Sequence, residues 1–414
     1  MKIITLDEKE FDSYALTHKY RSYYQSSAYG KTMANFGYNV HYLGIVDDTN
    51  KIIGATLILY KEVFMNNKYA YAPRGVLFDY GNSFIVKEFA DKIKALLGKQ
   101  GFMYLKMDPY IPASIRDKDG NMLNINPDLN IIMANLKNAD FTFKGKNLYF
   151  ENEKARWEAL CLLNVGADKL FNSFDKKTRH NIRQALNYGI DIFEDDSKDI
   201  TKLYEFVKNK HTKPSTYYEK IIENFKDNAK VYYAYLNTEK FVVNSKRMYE
   251  LEIEKNDILN NQIQSAGFNE KEKRRKLLNK KMESDKLSNI YKTNLITATN
   301  LLKEFPRGII IGGALEIIYD NAGYLIIEGF DKKYKHLNCN YLLKWKMIND
   351  AVDNGFKYFN MNAITGDFSA KNRYAGLNEM KLSYNCLITE YIGEFEIVLN
   401  SLSYNIYKSI NKKK

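Results

Sequence analysis

Two octapeptides decide the reading of this chain: Gly101-Phe102-Met103-Tyr104-Leu105-Lys106-Met107-Asp108 and Gly355-Phe356-Lys357-Tyr358-Phe359-Asn360-Met361-Asn362. They align without gaps at an offset of 254 residues (355 less 101), and Gly, Phe, Tyr and Met coincide. Each reads as a strand that follows an amphipathic helix. Ile85, Val86, Phe89, Ile93, Leu96 and Leu97 precede the first copy at three- and four-residue spacing, and Leu342, Leu343, Met347, Ile348, Ala351 and Val352 precede the second. Further upstream lie strand signals at 41–46, 52–60 and 69–72, separated by turns at Asp47-Asp48-Thr49-Asn50 and Asn66-Asn67. The second half repeats them at 230–235, 309–318 and 324–327, with a hairpin turn at Asp320-Asn321-Ala322-Gly323. The pattern predicts a duplicated α/β domain.

Between the first two strands of the second copy sits a foreign segment, 238–306. Its only Gly is Gly267 and its only Pro is Pro306. Tyr291, Leu295, Ala298, Leu302 and Phe305 alternate spacings of four and three, which is a heptad seam, and Met248, Leu251 and Ile258 are the clearest seam positions of the earlier arm. The segment reads as an antiparallel coiled-coil hairpin turning at Gly267. Beyond its tip lie Lys271, Lys273, Arg274, Arg275, Lys276, Lys280 and Lys281, interrupted only by Glu272 within 271–276. Such a cluster is either a solvated helix face or a phosphate-binding one.

Composition bounds the rest. The 414 residues include 45% apolar and 14% aromatic residues but only 6 Pro and 22 Gly, which excludes disordered and collagen-like chains. Lys and Arg number 62 against 50 acids, a formal charge of +12 that favours anionic partners. Cys161, Cys339 and Cys386 are far apart, which suits a reducing compartment and offers neither a disulfide framework nor metal-ligand spacing. The segment Met1-Lys2-Ile3-Ile4-Thr5-Leu6-Asp7 lacks the features of a signal peptide, and no apolar run reaches membrane-spanning length. The expectation is therefore a cytoplasmic protein, peripheral to a membrane at most, with no metal.

Catalytic signatures in common use are missing. There is no Walker A loop, dinucleotide fingerprint, nucleophile elbow or His-Glu-x-x-His, and His18, His41, His180, His211 and His336 show no helical pair spacing. The duplicated plan is compatible with an acetyltransferase-like (GNAT) fold. However, no Arg/Gln-x-x-Gly-x-Gly/Ala loop exists to cradle the pyrophosphate of coenzyme A, so another acyl donor is favoured.

Five segments then resemble the FemABX aminoacyltransferases, including their MurM-like branch. Gln25-Ser26-Ser27-Ala28-Tyr29-Gly30 is similar to the family's Gln-x-x-x-Trp entry segment, and Tyr71-Ala72-Pro73-Arg74-Gly75-Val76 to its Tyr-Ala-Pro-Arg-Gly-Pro. The stretch 174–189, with Lys177, Arg179, Ile182 and Ala185, resembles Lys-x-Arg-x-x-Ile-x-x-Ala. Lys213-Pro214-Ser215-Thr216-Tyr217 resembles Arg-Pro-x-x-Tyr. Gly376-Leu377-Asn378-Glu379-Met380-Lys381 and Glu390-Tyr391-Ile392-Gly393-Glu394-Phe395 resemble the closing Leu-x-x-Phe-Lys and Glu-Tyr-Ile-Gly motifs.

The resemblance implies two tandem GNAT-type domains in an α/β (α+β) chain. The first would be 1–150, joined by 396–414, the second 151–237 with 307–395, and the arm 238–306 like that of a seryl-tRNA synthetase. It implies an aminoacyl-tRNA donor and a peptidoglycan precursor as acceptor, either lipid II or the UDP-MurNAc-pentapeptide, at the inner face of the plasma membrane and without a cofactor. The presence of the arm favours lipid II. Lys381 matches the catalytic lysine, and Asp108 an aspartate in the cleft that could orient or deprotonate the attacking amine. An Asp-Pro at a strand end is equally ordinary turn chemistry. Lys213, Tyr217, Arg74 and Met380 fall at precursor-binding positions, and the basic cluster would hold tRNA.

Three departures stand out. Met33 replaces a phosphate-binding lysine, with Lys31 the nearest cation in sequence; Ile327 replaces a tyrosine, and Met380 a phenylalanine. Two other readings stay open: a GNAT-fold acyltransferase with a non-cell-wall acceptor, and a non-catalytic RNA- or membrane-binding scaffold. The arm could also serve a homodimer.

Overall fold

The computed structural model describes residues 1–64, 67–151, 153–209, 213–266, 270–369 and 371–411, so the expected turn at Gly267 and the position of His211 lie outside the described residues. The two octapeptides occupy equivalent strands. Phe102–Met107 pairs in parallel with Asn67–Ala72, and Tyr358–Ala363 pairs in parallel with Ala322–Phe330. Helices Ser83–Gly98 and Cys339–Asp353 make the two crossovers. Asn82 starts the first of these, its side chain accepting from the backbone of Phe84 at 3.1 Å and Ile85 at 3.2 Å. Val86, Phe89, Ala90, Ile93 and Leu97 line its buried face, each large side chain contributing roughly 1.5–3 kcal/mol of hydrophobic free energy.

A seven-stranded sheet runs in the order Lys2–Thr5, Asn39–Val46, Ile52–Phe64, Asn67–Ala72, Phe102–Met107, Phe395–Val398, Thr142–Phe143. A nine-stranded sheet runs Ile190–Glu194, Ala229–Leu236, Ile309–Tyr319, Ala322–Phe330, Tyr358–Ala363, Trp157–Leu162, Leu387–Tyr391, Pro112–Arg116, Met122–Ile125. The expected boundary near residue 150 does not follow these sheets. Pro112–Arg116 leaves the first half to pair with Leu387–Tyr391, while Phe395–Val398 returns to pair with Phe102–Met107.

The inserted segment forms two helices, Thr238–Ser265 and Lys271–Glu304, packed along each other. Their base is anchored: Phe241, Ala298 and Leu301 enter the core of the nine-stranded sheet, and the Thr238 hydroxyl donates to the Phe305 carbonyl at 2.7 Å. The seam differs from the expected one in the first helix. Leu251 and Ile258 are exposed, and Ser245, Glu252 and Leu259 face inward instead, opposite Ser284 and Ser288 of the second helix. Asn256 crosses the seam to Asp285 at 2.6 Å. Small and polar seam residues let the helices approach closely, so a search for apolar heptads picks the neighbouring positions. No helix among the described residues is long and apolar enough to cross a membrane.

Candidate active site where the two sheets meet

Asp108 immediately follows strand Phe102–Met107, and parallel pairing brings Tyr71 and Arg74 from the end of the adjacent strand beside it. Asp108 Oδ1 accepts from the Tyr71 hydroxyl at 3.0 Å and from the Arg74 backbone N–H at 2.8 Å. Oδ2 lies 3.8 Å from the Arg74 guanidinium and has no hydrogen-bond partner. Burial pushes the Asp108 carboxyl up to about 6, against the opposing pull of Arg74.

Arg74 corrects one expectation. It is 2% exposed, and its Nη2 donates to the Glu158 carboxylate and the Ala155 carbonyl, each at 2.7 Å. Its guanidinium carbon lies 5.1 Å from the Tyr110 ring and 4.9 Å from that of Tyr391. With no surface left for a ligand, Arg74 acts as a clamp between Asp108 of the first sheet and Glu158 of the second.

Glu158 is the residue that sequence reasoning missed. It sits on Trp157–Leu162, which pairs with both Tyr358–Ala363 and Leu387–Tyr391. Besides Arg74, its carboxylate accepts from Asn360 Nδ2 at 2.7 Å, the Tyr110 hydroxyl at 2.9 Å and the Tyr391 hydroxyl at 3.1 Å. The available signal was a lone acid in an otherwise apolar strand, Trp157-Glu158-Ala159-Leu160-Cys161-Leu162, since a buried charge demands partners.

Lys381 projects from helix Ala375–Leu382, and its Nζ donates to the Ala363 carbonyl at 2.7 Å. Burial pulls the Lys381 ammonium down to about 8; Glu328 opposes this and Lys344 adds to it. Glu328 is itself ion-paired with Lys344. Among the described residues no carboxylate forms an ion pair with Lys381, which leaves two of its N–H bonds for a ligand. Met380, next to it, takes a weak hydrogen bond on sulfur from Asn340 at 3.9 Å. Lys381 and Asp108 are therefore linked through Ala363, Asn362, Asn360, Glu158 and Arg74.

A narrow pocket lined by Ser22, Tyr23, Tyr24, Tyr110, Glu158, Asn360 and Asn362 opens at this junction, and a cavity of about 290 Å³ lies beyond Tyr110 and Tyr324. On the Tyr24 side stands a cation that no motif announced. Lys154 Nζ is 4.0 Å from the Tyr24 ring centroid and 3.3 Å from the Tyr29 hydroxyl. Burial opposes its charge, but Tyr24, Tyr217 and Asp108 hold its pKa above the ordinary value. Tyr217 adjoins Tyr29, and burial drives its phenol well up, so it stays a protonated donor. Lys213 Nζ lies 5.3 Å from the Tyr217 ring on the exposed side. Lys154 and Lys213 thus flank one cluster of phenols.

Other expected positions lie elsewhere. Lys31 is ion-paired with Glu8 at 2.6 Å and lines a separate cavity of about 690 Å³ beside Asp12 and Glu223, so it does not substitute at the phenol cluster. Met33 and Ile327 are buried in the apolar core with Tyr23 and Tyr29. The basic cluster is solvent-facing at the start of the second arm helix: Lys273, Lys276 and Lys281 pair with Glu270, Glu272 and Asp285 at 3.1, 2.9 and 2.9 Å. Lys271, Arg274, Arg275 and Lys280 stand exposed.

Comparison with known proteins agrees with this architecture. The chain is 26% identical to an aminoacyltransferase FemA of Staphylococcus epidermidis, the match covering 100% of both chains. It is 24% identical to that of Staphylococcus aureus, over 100% of this chain and 99% of the relative. The crystal structure of FemX superposes with a TM-score of 0.73 at 18% identity, covering 98% of this chain and 99% of that one, which shows a shared fold. The FemAB family model matches residues 6–412, so the chain belongs to the FemAB family.

Proposed function

We propose that the protein is a tRNA-dependent aminoacyltransferase, which moves an amino acid from its ester with a tRNA ribose onto a free amine of a peptidoglycan precursor. The observation that carries this reading is Lys381: a buried ammonium that donates to one backbone carbonyl and forms no ion pair among the described residues. Such a group is a ready donor to negative charge that develops on a substrate.

The chemistry follows from the ester. The amine attacks the carbonyl carbon, a C–N bond forms, the carbonyl oxygen becomes an oxyanion facing Lys381, and the C–O bond to ribose breaks. The proton lost by the nitrogen ends on the departing ribose oxygen. Asp108, with an unpartnered Oδ2, orients the amine or holds that proton in transit. Activation resides in the ester itself, so positioning and oxyanion stabilisation are what the chain supplies. Lys154, Lys213 and Tyr217 receive the precursor's diphosphate, Lys154 providing the charge that Met33 and Lys31 do not bring there. The arm cations meet tRNA phosphates, and the arm favours the lipid-linked precursor over the UDP-linked one.

The test is transfer of radiolabelled amino acids from a charged-tRNA pool to lipid II and, in parallel, to the UDP-linked pentapeptide. Label on either acceptor, lost in Lys381→Ala while tRNA binding persists, supports the reading. No transfer to either, with tRNA still bound, contradicts it.

A further inference from the structure

Helix Lys176–Asn187 connects the helix that carries Lys381 to the root of the arm. At its start the Thr178 hydroxyl donates to the Ser383 hydroxyl at 2.8 Å, and Lys177 pairs with Glu379 at 3.2 Å. Just past its end the Tyr188 hydroxyl accepts from Asn294 Nδ2 of the second arm helix at 3.1 Å. Between these points Gln184 accepts from Asn338 Nδ2 at 2.8 Å, which ties on the loop 331–338 ahead of the second crossover helix. The 12 residues form a rail about 18 Å long.

The outer side of this rail is cationic. Thr178, Ile182 and Ala185 are buried, so Lys176, His180 and Arg183, at four- and three-residue spacing, form the opposite, exposed stripe. The helix contains no acid. On the adjoining loop Lys332, Lys333, Lys335 and His336 are exposed around the buried Tyr334 and Leu337. The loop's single acid, Asp331, accepts from the Lys333 backbone at 2.9 Å. Elsewhere helix cations are matched at four-residue spacing, as in Lys87 with Asp91, Lys246 with Glu250 and Lys346 with Asp350. Among the described residues no carboxylate pairs with Lys176, Arg183, Lys332 or Lys335.

Unmatched cations in a row suit a polyanion. A bilayer surface fits less well: Leu186 is the one large hydrophobic side chain that the described helix and loop expose, whereas an interfacial helix inserts a broad apolar face. The course of the rail favours RNA. It starts beside the helix of Lys381 and ends at the arm, where Lys280 stands two heptads (294 less 280 is 14 residues, about 21 Å) tipward of Asn294.

We infer that the acceptor-stem backbone of the aminoacyl-tRNA lies along Lys176 and Arg183 and against Lys332 and Lys335, which guide its phosphates from the arm toward Lys381. The inference rests on the proposed transfer reaction for the identity of the RNA and adds the surface that holds it.

The experiment measures binding of an uncharged acceptor-stem minihelix RNA to the full chain across a salt series, with no turnover required. The wild type is expected to bind, more weakly as salt rises. Lys176→Gln/Arg183→Gln and Lys332→Gln/Lys335→Gln should each lower minihelix affinity at least about tenfold and reduce the slope of log affinity against log salt by about 1 per phosphate released. Lys176→Arg/Arg183→Lys should retain most of the affinity, and the arm pair Arg274→Ala/Arg275→Ala should leave minihelix binding unchanged. Wild-type affinity and slope in both Gln pairs would overturn the inference, as would no minihelix binding by the wild type. So would Gln pairs that lose binding to phosphatidylglycerol vesicles while keeping the minihelix. The two readings fail separately: labelled precursor formed as usual by Gln pairs that bind the minihelix like wild type sinks the rail alone, whereas minihelix binding lost in the Gln pairs of a protein that transfers no amino acid sinks the reaction and keeps the RNA surface.

Discussion

At the scale of single residues, the site is a set of charges whose burial sets their working range. Asp108 titrates near 6 and Lys381 near 8, both moved chiefly by desolvation. Asp108 is ionised above its value and Lys381 is charged below its own, so kcat/KM should trace a bell between about pH 6 and 8. Asp108→Asn should remove the acid limb. Lys381→Arg, if it retains measurable turnover, should lose the alkaline limb, because guanidinium stays charged. Lys154 is predicted to act on binding: Lys154→Ala should raise KM for the precursor by roughly tenfold with kcat within about twofold, with partial rescue by Lys154→Arg. A fall in kcat at constant KM would place Lys154 in the chemical step instead. The sequence announced Lys381 and Asp108 because they sit in motifs or at a strand end in a repeated octapeptide. It was silent on Glu158 and Lys154, whose roles arise from partners such as Asn360, Tyr391, Tyr24 and Tyr29, some of them more than a hundred residues away.

At the scale of elements, strands and crossover helices were legible because their periodicity is local. Phe102–Met107 coincides with its expected span, and the Ser83–Gly98 helix buries Val86, Phe89, Ile93 and Leu97 as anticipated. The first arm helix was legible in extent but not in register, because its seam uses Ser245 and Glu252 where leucines were sought. Strand Ile309–Tyr319 carries its own liability, Glu316, buried beside Tyr232 and raised to about 8 by desolvation. The native state holds this proton up to that pH, whereas the unfolded chain releases it from about 4.5. Stability contributed by the neutral form is therefore lost as pH rises from 4.5 to 8. Glu316→Gln should accordingly stabilise the fold by roughly 3 kcal/mol at pH 9 and by much less at pH 5, measured by urea denaturation. In the arm, Arg274→Ala/Arg275→Ala should weaken tRNA binding uniformly across tRNA species. It should reduce the slope of log affinity against log salt by about 1 for each phosphate that is no longer neutralised, leaving turnover of a short acceptor-stem mimic unchanged. An unaltered slope would assign the cluster to a solvated face.

At the scale of the whole molecule, duplication was readable from the two octapeptides, and the FemX-like fold bears out the tandem α/β plan. Of the strand exchange between the halves, the resemblance implied the return of 396–414 to the first, whereas the departure of Pro112–Arg116 into the second sheet was not readable. Pro112–Arg116 and Phe395–Val398 cross to opposite sheets through pairings that span some 275 and 290 residues, and no local pattern encodes such partners. That exchange, together with the Arg74 clamp on Glu158, places Asp108 and Lys381 on one connected polar network. The reaction proposed for this network is transfer of an amino acid from tRNA to a peptidoglycan precursor amine. Its most direct test is single-turnover transfer from labelled aminoacyl-tRNA to lipid II by wild type and Lys381→Ala, with tRNA binding measured alongside. The account predicts labelled precursor from the wild type, and at least about a hundredfold slower transfer by a variant that still binds tRNA. Equal rates from the two proteins, or no labelled precursor from a wild type that binds both substrates, would contradict it.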